Sequence, residues 1–192
     1  MKKVALLFVP FLMLAGCMTR PPPLPDNEAL IAPKTVMVVA PPRGHDGSSS
    51  VAQSIVAHYR DQTFAFDAQI QIAPQTFDLV ALDAMGRRAL TVHWNGEKMN
   101  AEAAPWLPPL MRPADILADI AIVYGPGDEI AQSIANAGAT LSETGATRTI
   151  AKGNHDLIIV EYGEGSGWSR AAKLRNLAFG YEIDIRSVAL SP

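Results

Sequence analysis

The sequence predicts a mainly β fold of the α+β class: an open, curved antiparallel sheet of about 8 to 11 strands, with two or three short helices as a lid. Three observations lead to this prediction. Apolar and polar residues alternate in several runs, turn residues separate short apolar runs along most of the chain, and a section with helical spacing interrupts them between residues 113 and 138. We expect the strands to follow one another as an antiparallel meander, which a strongly curved sheet or open barrel closed by helices accommodates.

The clearest alternation marks two long strands. In residues 63–72 the apolar side chains occupy every second position, at Phe64, Phe66, Ala68, Ile70 and Ile72. Residues 173–190 alternate in the same way and predict one strand with a single apolar face, formed by Leu177, Phe179, Tyr181, Ile183 and Ile185. Because successive strand residues point to opposite faces, each run has one buried and one solvated face.

Turn residues arrange the other strands into hairpins. Residues 60–62 connect the first alternating strand to the one before it, and residues 83–86 connect the next two strands. Asn95-Gly96 is a two-residue turn signal that leads into a further strand. Short strands follow between glycines over residues 139–162. Met85 stands out because a long apolar side chain occupies a turn position that usually carries a polar residue.

The middle of the chain predicts a break and two helices. Residues 104–113 contain four prolines and exclude both a central strand and a helix. A helix begins near Pro113 and ends at Gly125, and a second helix begins with an acidic turn at residue 127 and ends before Gly138.

The N-terminus predicts export and a lipid anchor. Residues 1–16 combine a short positive region with about a dozen apolar residues, which is typical of a signal peptide. They end in Leu-Ala-Gly before Cys17, the only cysteine, and this spacing resembles the lipobox at which bacterial lipoproteins are cleaved and acylated. Met18 is not the Asp that favours retention at the inner membrane, so we expect the periplasmic face of the outer membrane.

The remaining chain divides into two predicted parts. Residues 17–50 carry the lipidated cysteine and a proline-rich tether, with a short strand at residues 35–40; a packed N-terminal arm is the alternative to an extended tether. Residues 51–192 form the β domain. The chain has 16 Lys and Arg against 19 Asp and Glu, and no basic stripe that would indicate nucleic-acid binding.

Catalytic, metal and cofactor sites are not predicted. The four histidines are scattered, and His45 and His155 each precede an Asp whose side chain would point to the opposite face of a strand. The glycine-rich residues 163–168 open no helix that would hold a phosphate, so they indicate a turn. We therefore expect no catalytic residues, no metal and no cofactor, and we predict that the protein is not an enzyme.

The apolar residues leave two interpretations open. Three tryptophans and three methionines lie at strand ends or in loops: Trp94, Trp106, Trp168, Met85, Met99 and Met111. They either fill an ordinary core or line an apolar cavity that holds acyl chains, for which the flexible thioether of methionine is well suited.

Residues 75–102 resemble the lipoprotein-insertion protein of the outer membrane, LolB, in having a strand, a turn with an apolar residue before a glycine, and a second strand. The helical section and the closing strands follow in the same order. Residues 54–190 resemble more closely a family of uncharacterised bacterial lipoproteins, often encoded with aryl polyene or fatty-acid-synthase-like clusters. Its marks here are residues 82–88, 105–113 and 174–185.

The resemblance implies a LolA/LolB-like half-barrel with helices over a hydrophobic cavity. It also implies a membrane- or acyl-contacting loop at Met85, Gly86, Arg87 and Arg88, although LolB has no basic pair at this place. We expect the cavity to be lined by Phe64, Phe66, Trp94, Trp106, Phe179, Tyr181 and Ile183.

The leading hypothesis is a membrane-anchored lipoprotein that binds or transfers a hydrophobic acylated ligand, either lipoprotein acyl chains or a polyene lipid. One alternative is a structural adaptor that docks partner proteins of an export or biosynthetic cluster through residues 105–113. An enzyme acting on acyl groups, through His93 or His155, is the third.

Overall fold

The computed structural model describes residues 24–40, 48–108 and 111–190. These residues form twelve strands, two α-helices and a short 3-10 helix. In chain order, the elements are β1 (Glu28–Ala32), β2 (Thr35–Val38), β3 (Ser49–Tyr59), β4 (Gln62–Ala73), β5 (Thr76–Asp83), β6 (Arg88–Trp94), β7 (Met99–Ala103), α1 (Pro113–Tyr124), α2 (Gly127–Ala135), β8 (Thr140–Thr144), β9 (Thr147–Lys152), β10 (His155–Tyr162), the 3-10 helix (Gly167–Ser169), β11 (Ala172–Asn176) and β12 (Tyr181–Leu190).

Ten strands form one antiparallel sheet in the order β7-β6-β5-β4-β3-β12-β11-β10-β9-β8. It consists of two meanders, β3 to β7 and β8 to β12, which join where β12 pairs with β3 along its whole length. The two outermost strands, β7 and β8, do not pair with each other, so the sheet is open and not a closed barrel. This confirms the prediction of an open antiparallel sheet with short helices.

The helices connect the two edges of the sheet and cover its apolar face. Pro113 occupies the first turn of α1, and the chain leaves the helix at Gly125, as the sequence predicted. Leu117 and Ile122 of α1 and Ile134 of α2 are fully buried in one cluster with the inward side chains of the strands, including Ile70 and Leu79. No helix among the described residues is both long and apolar enough to cross a membrane.

The strand pairings define two ends of the sheet. The tip end carries the β3–β4 turn at residues 60–61, the β5–β6 turn at residues 84–87 and the β11–β12 turn at residues 177–180. The opposite end carries the β6–β7 loop at residues 95–98 and the last strand residue, Leu190.

The segment predicted as an extended tether is partly folded. Over residues 28–38 it forms the β1–β2 hairpin, whose Ala29, Ile31 and Met37 are buried in the main cluster. The backbone N–H of Leu30 donates to Asp115 of α1 at 3.2 Å. The extended tether is therefore wrong for residues 28–34, where the alternative of a packed N-terminal arm holds, because their apolar side chains cover a helix face that would otherwise meet water. The short strand predicted at residues 35–40 is present as β2. The signal peptide and Cys17 lie outside the described residues.

The long closing strand is in fact a hairpin. β11 ends at Asn176, residues 177–180 form a turn, and β12 begins at Tyr181. Gly180 adopts a φ of +69°, and the Asn176 side chain accepts a hydrogen bond from the backbone N–H of Phe179 at 2.9 Å. β11 buries its even-numbered residues, including Ala172 and Leu174, whereas the odd-numbered Leu177 and Phe179 of the predicted face lie in the turn. Leu177 is 50% exposed, so the prediction of one continuous apolar face is wrong here.

The connection at Asn95-Gly96 is longer than predicted. β6 ends at Trp94 and β7 begins at Met99, which leaves a four-residue loop instead of a two-residue turn. The Asn95 side chain accepts hydrogen bonds from the backbone N–H groups of Glu97 and Lys98, at 3.2 and 2.8 Å. This side-chain cap stabilises the wider loop.

A candidate apolar cavity beside an exposed turn

A cavity of about 120 Å³ lies between the inner face of the sheet and α1. Its walls come from three parts of the chain: the central strands, helix α1, and the proline-rich segment before α1. The side chains that define it are Ile55, Phe66, Ile183, Ile116, Ile120, Leu107, Pro108 and Met111, with Asp119 and Tyr181 as polar members. The lining also includes Tyr59 and Ala89, which lie next to turns of the tip end.

Three of the seven side chains predicted to line a cavity do so. Phe66, Tyr181 and Ile183 belong to the lining, and they come from β4 and β12 on either side of β3. The inward parity of these strands was therefore the useful signal. Parity alone does not show that β4 and β12 are close together; the pairing of β3 with β12 brings them to the same cavity.

The other four lie elsewhere. Phe64 stacks on Phe66 with ring centroids 6.5 Å apart, and Phe179 lies in the β11–β12 turn. Trp94 is buried in the main core at the end of β6, far along the strand from the tip end. Trp106 lies at the protein surface with 40% of its area exposed. None of these four is among the residues that line the cavity.

Three polar side chains at the cavity are connected by hydrogen bonds: Asp119, Tyr181 and Asn176. The Tyr181 hydroxyl donates to both carboxylate oxygens of Asp119, at 2.9 and 3.0 Å. The amide of Asn176 donates to the Tyr181 oxygen at 3.2 Å and to the Ile31 carbonyl at 3.0 Å. This chain connects α1, β12, β11 and the N-terminal hairpin. Sequence reasoning missed Asp119, because nothing in a helical pattern shows which strand residue it meets.

Burial raises the pKa of Asp119 to about 7. The hydrogen bond from Tyr181 lowers this pKa, and the negative charge of Asp115 raises it by a smaller amount. The pKa of Tyr181 is also raised well above its ordinary value, because the ring is buried and the Asp119 carboxylate faces its hydroxyl. Near neutral pH the carboxyl therefore exists in both protonation states inside an apolar cavity.

The turn that carries Met85 is held by Asp83. Its carboxylate accepts the backbone N–H groups of Met85 and Arg87, at 2.9 and 2.8 Å, and the Arg87 Nε–H at 2.7 Å. Although partial desolvation opposes it, this set of hydrogen bonds lowers the pKa of Asp83. Gly86 has a φ of +74°, and Met85 is 74% exposed, so neither α1 nor α2 covers it.

The Met85 turn (residues 84–87) contacts the segment that walls the cavity. The guanidinium of Arg87 lies over the Trp106 ring, 4.9 Å from its centroid. The next two residues, Leu107 and Pro108, line the cavity. Arg88 is exposed at the start of β6. Arg87 thus joins the predicted loop to Trp106 beside the cavity, whereas Arg88 pairs across the strands with the exposed Leu82.

The structure also pairs two side chains that sequence reasoning left apart. His93 of β6 and Asp78 of β5 are cross-strand partners, with His93 Nδ1 2.5 Å from Asp78 Oδ1. Both side chains are exposed on the outer face of the sheet, at 50% and 41%. Within the described parts of the chain, no group of His, Cys, Asp or Glu side chains is arranged to hold a metal ion.

Comparison with known proteins identifies a family. No curated protein matches the chain. The family model described as "Protein of unknown function (DUF3261)" matches residues 50–189, which run from the start of β3 almost to the end of β12. This agrees with the resemblance to an uncharacterised family. Because the match covers well over half of its length, the chain belongs to the DUF3261 family.

Proposed function

We propose that this protein is a lipid-anchored lipoprotein at the periplasmic face of the outer membrane, which binds or transfers a hydrophobic acylated ligand. The observation that carries the proposal is the apolar cavity between the sheet and α1, beside an exposed apolar turn. Concave sites with apolar walls and few polar groups are the usual form of small-molecule sites.

The size of the cavity defines how a ligand would enter. At about 120 Å³ it is smaller than a cavity of roughly 150 Å³ that takes up benzene, so it would hold only the end of an acyl chain. A ligand of acyl-chain length would place one end inside and extend past the tip end, or it would widen the cavity. The walls formed by Leu107 and Met111 come from a segment without regular structure, and such walls rearrange more readily than strands.

The Met85 turn is suited to contact a membrane. Trp106 and Met85 offer exposed apolar area, the Arg87 guanidinium lies over the Trp106 ring, and Arg88 is the exposed residue that follows Arg87. Tryptophan favours the membrane–water interface, and guanidinium groups bind lipid phosphates. Arg88 forms no ion pair with any of the described residues and is available for such a contact.

A lipid anchor at Cys17 would orient the domain with its tip end toward the membrane. Acylation of Cys17 is inferred from the lipobox alone. β1 begins at Glu28, and the β1–β2 hairpin contacts Asn176 and Lys152, which lie toward the tip end. The chain between Cys17 and β1 would span about 30 Å when extended, at roughly 3.1 Å per residue. A lipid at Cys17 would therefore hold the tip end close to the membrane.

A ligand-binding experiment tests the proposal. Purified protein is titrated with a fluorescent fatty acid, and lipids that co-purify with it are identified by mass spectrometry. Ala57→Phe would fill the cavity from β3, and Ala65→Phe places the same ring on the exposed outer face of β4 as a matched control. We expect Ala57→Phe to weaken binding about tenfold and Ala65→Phe to leave it unchanged.

Two results would contradict the proposal: no uptake of any apolar probe by the native protein, or equal binding by both variants. Circular dichroism of each variant confirms that it is folded. A stable complex with a protein partner, formed without lipid uptake, would instead support the adaptor function.

A further inference from the structure

We propose that Asp119 is the polar anchor of the cavity and selects apolar ligands whose end carries a hydrogen-bond donor, a hydroxyl or an amine. This inference rests on the proposed function and specifies the chemistry of the ligand. It starts from the position of a carboxyl group among apolar side chains, where a group without a role in binding would be costly to keep.

The Asp119 carboxyl has unused capacity to accept hydrogen bonds. Two carboxylate oxygens offer about four acceptor positions. In the part of the chain that the structure describes, the Tyr181 hydroxyl is the single donor to them, shared between the two oxygens. Asp119 also belongs to the lining of the cavity, so a ligand inside it can reach the remaining positions.

The neighbouring hydroxyl cannot play the same part. Tyr181 already donates to Asp119 and accepts from Asn176, and this fixes the direction of its O–H bond. Tyr181 therefore orients the carboxyl, whereas Asp119 faces the ligand. A ligand that ends in a donor completes this arrangement, while a ligand that ends in a methyl group leaves acceptor positions unpaired.

Two other polar residues of the lining have hydrogen-bond partners of their own. The Gln53 amide donates to the Ser187 hydroxyl at 3.1 Å, and His58 Nδ1 lies 3.1 Å from the Thr63 hydroxyl. His58 is also exposed on the outer parity of β3. Asp119 is the only carboxyl group among the described residues that line the cavity, and it is therefore the strongest hydrogen-bond acceptor available to a buried ligand end.

The test compares chain-matched ligands on three proteins. Hexane, 1-hexanol and hexylamine are titrated into the native protein, Asp119→Leu and Tyr181→Phe at about pH 8, and affinities are measured by NMR shift changes. The readout is the ratio of 1-hexanol or hexylamine affinity to hexane affinity. Asp119→Leu removes the carboxyl and keeps a side chain of similar shape, whereas Tyr181→Phe keeps the carboxyl and removes its donor.

We expect Asp119→Leu to lower both ratios about tenfold, which corresponds to the loss of one hydrogen bond to a charged group. Tyr181→Phe should keep or raise them. Equal ratios in the native protein and Asp119→Leu would overturn the anchor while leaving the proposed function intact. If Asp119→Leu and Tyr181→Phe lowered the affinity ratios equally, the Asp119–Tyr181 pair would have a structural role only, and the anchor would be overturned. Failure of the native protein to bind any of the three ligands would overturn the proposed function and the anchor with it.

Discussion

The guanidinium of Arg87 stacks on the indole of Trp106, with 4.9 Å between Cζ and the ring centroid. The contact joins the β5–β6 turn to the segment that precedes α1, two regions that are adjacent only in the fold. Arg87 is held from the other side by Asp83, through an ion pair at 2.7 Å. The contact therefore connects an exposed turn, a partly exposed aromatic residue and the cavity wall.

The exposed methionine provides the first prediction. Met85→Glu should reduce association of the protein with anionic lipid vesicles, because it places a negative charge where an apolar side chain would enter the membrane. The free energy of unfolding should change by less than about 0.5 kcal/mol, since Met85 is 74% exposed. Co-sedimentation with vesicles and urea denaturation measure the two effects.

Val188→Glu is the matched control for Met85→Glu. Val188 is 65% exposed, but it lies in β12 toward the opposite end of the sheet, where it pairs with Ala52. It should leave vesicle association unchanged. Equal loss in both variants would show that net charge, and not the Met85 turn, governs the interaction.

The Arg87–Trp106 contact gives the second prediction. A double-mutant cycle with Arg87→Gln and Trp106→Leu should yield a coupling energy of about 0.5 to 1 kcal/mol, the range of exposed cation–π pairs. Urea denaturation of the four proteins measures it. The cycle separates this contact from the Asp83 ion pair, which is lost in both proteins that lack Arg87. A coupling energy of zero would mean that the two side chains are independent in solution.

The third prediction concerns pH. The folded pKa of Asp119 is raised from 3.8 to about 7, so the folded state retains a proton that the unfolded chain has released. Stability from this group is fully present below about pH 4 and is lost as the pH rises to about 7, by up to roughly 4 kcal/mol. Asp119→Asn removes this titration. Its stability relative to the native protein should therefore be greater at pH 8 than at pH 5, measured by urea denaturation at both values.

Comparing the native protein with Asp119→Asn cancels the contributions of the other titrating groups, which are the same in both proteins. These groups include Asp83 and Glu182, whose pKa values are lowered by their hydrogen bonds despite partial desolvation. A constant stability difference between the two proteins from pH 5 to pH 8 would contradict the raised pKa.

The fourth prediction concerns the end of α1. The buried guanidinium of Arg148 donates to the carbonyls of Ile122 and Gly125, at 2.6 and 2.9 Å, which have no later helical turn to pair with. Arg148→Leu should lower the free energy of unfolding by about 3 kcal/mol, because it leaves these carbonyls unpaired. Glu143→Gln is the comparison: Glu143 pairs with Arg148 but is half exposed, so the loss should be below about 1 kcal/mol. Similar losses in both variants would assign the stability to the ion pair instead.

Local patterns were sufficient for most of the fold. The alternation from Phe64 to Ile72 gave the buried face of β4, since side-chain direction in a strand depends only on parity. Pro113 and Gly125 gave the limits of α1, since their backbone preferences act within one turn. The hairpin at Met85 followed from Asp83 and Gly86 for the same reason.

Local patterns could not give contacts between distant parts of the chain. The pairing of β12 with β3 joins residues more than a hundred positions apart, and it forms the centre of the sheet. The β1 segment looked like a tether because its burial depends on α1, which follows about eighty residues later. The β11–β12 turn was missed because the alternation of Leu177 and Phe179 continues into β12 without interruption.

The sequence by itself determined the two helices, most strands of the main sheet, the buried face of β4 and the exposed Met85 turn, because these depend on neighbouring residues and on the alternation along each strand. Only the tertiary structure decided which residues surround the cavity, where Trp106 stacks, and that Asp119 meets Tyr181 among apolar side chains. The physical reason is that a site made by several elements depends on strand order and helix placement. These follow from the packing of the whole core and not from any single segment.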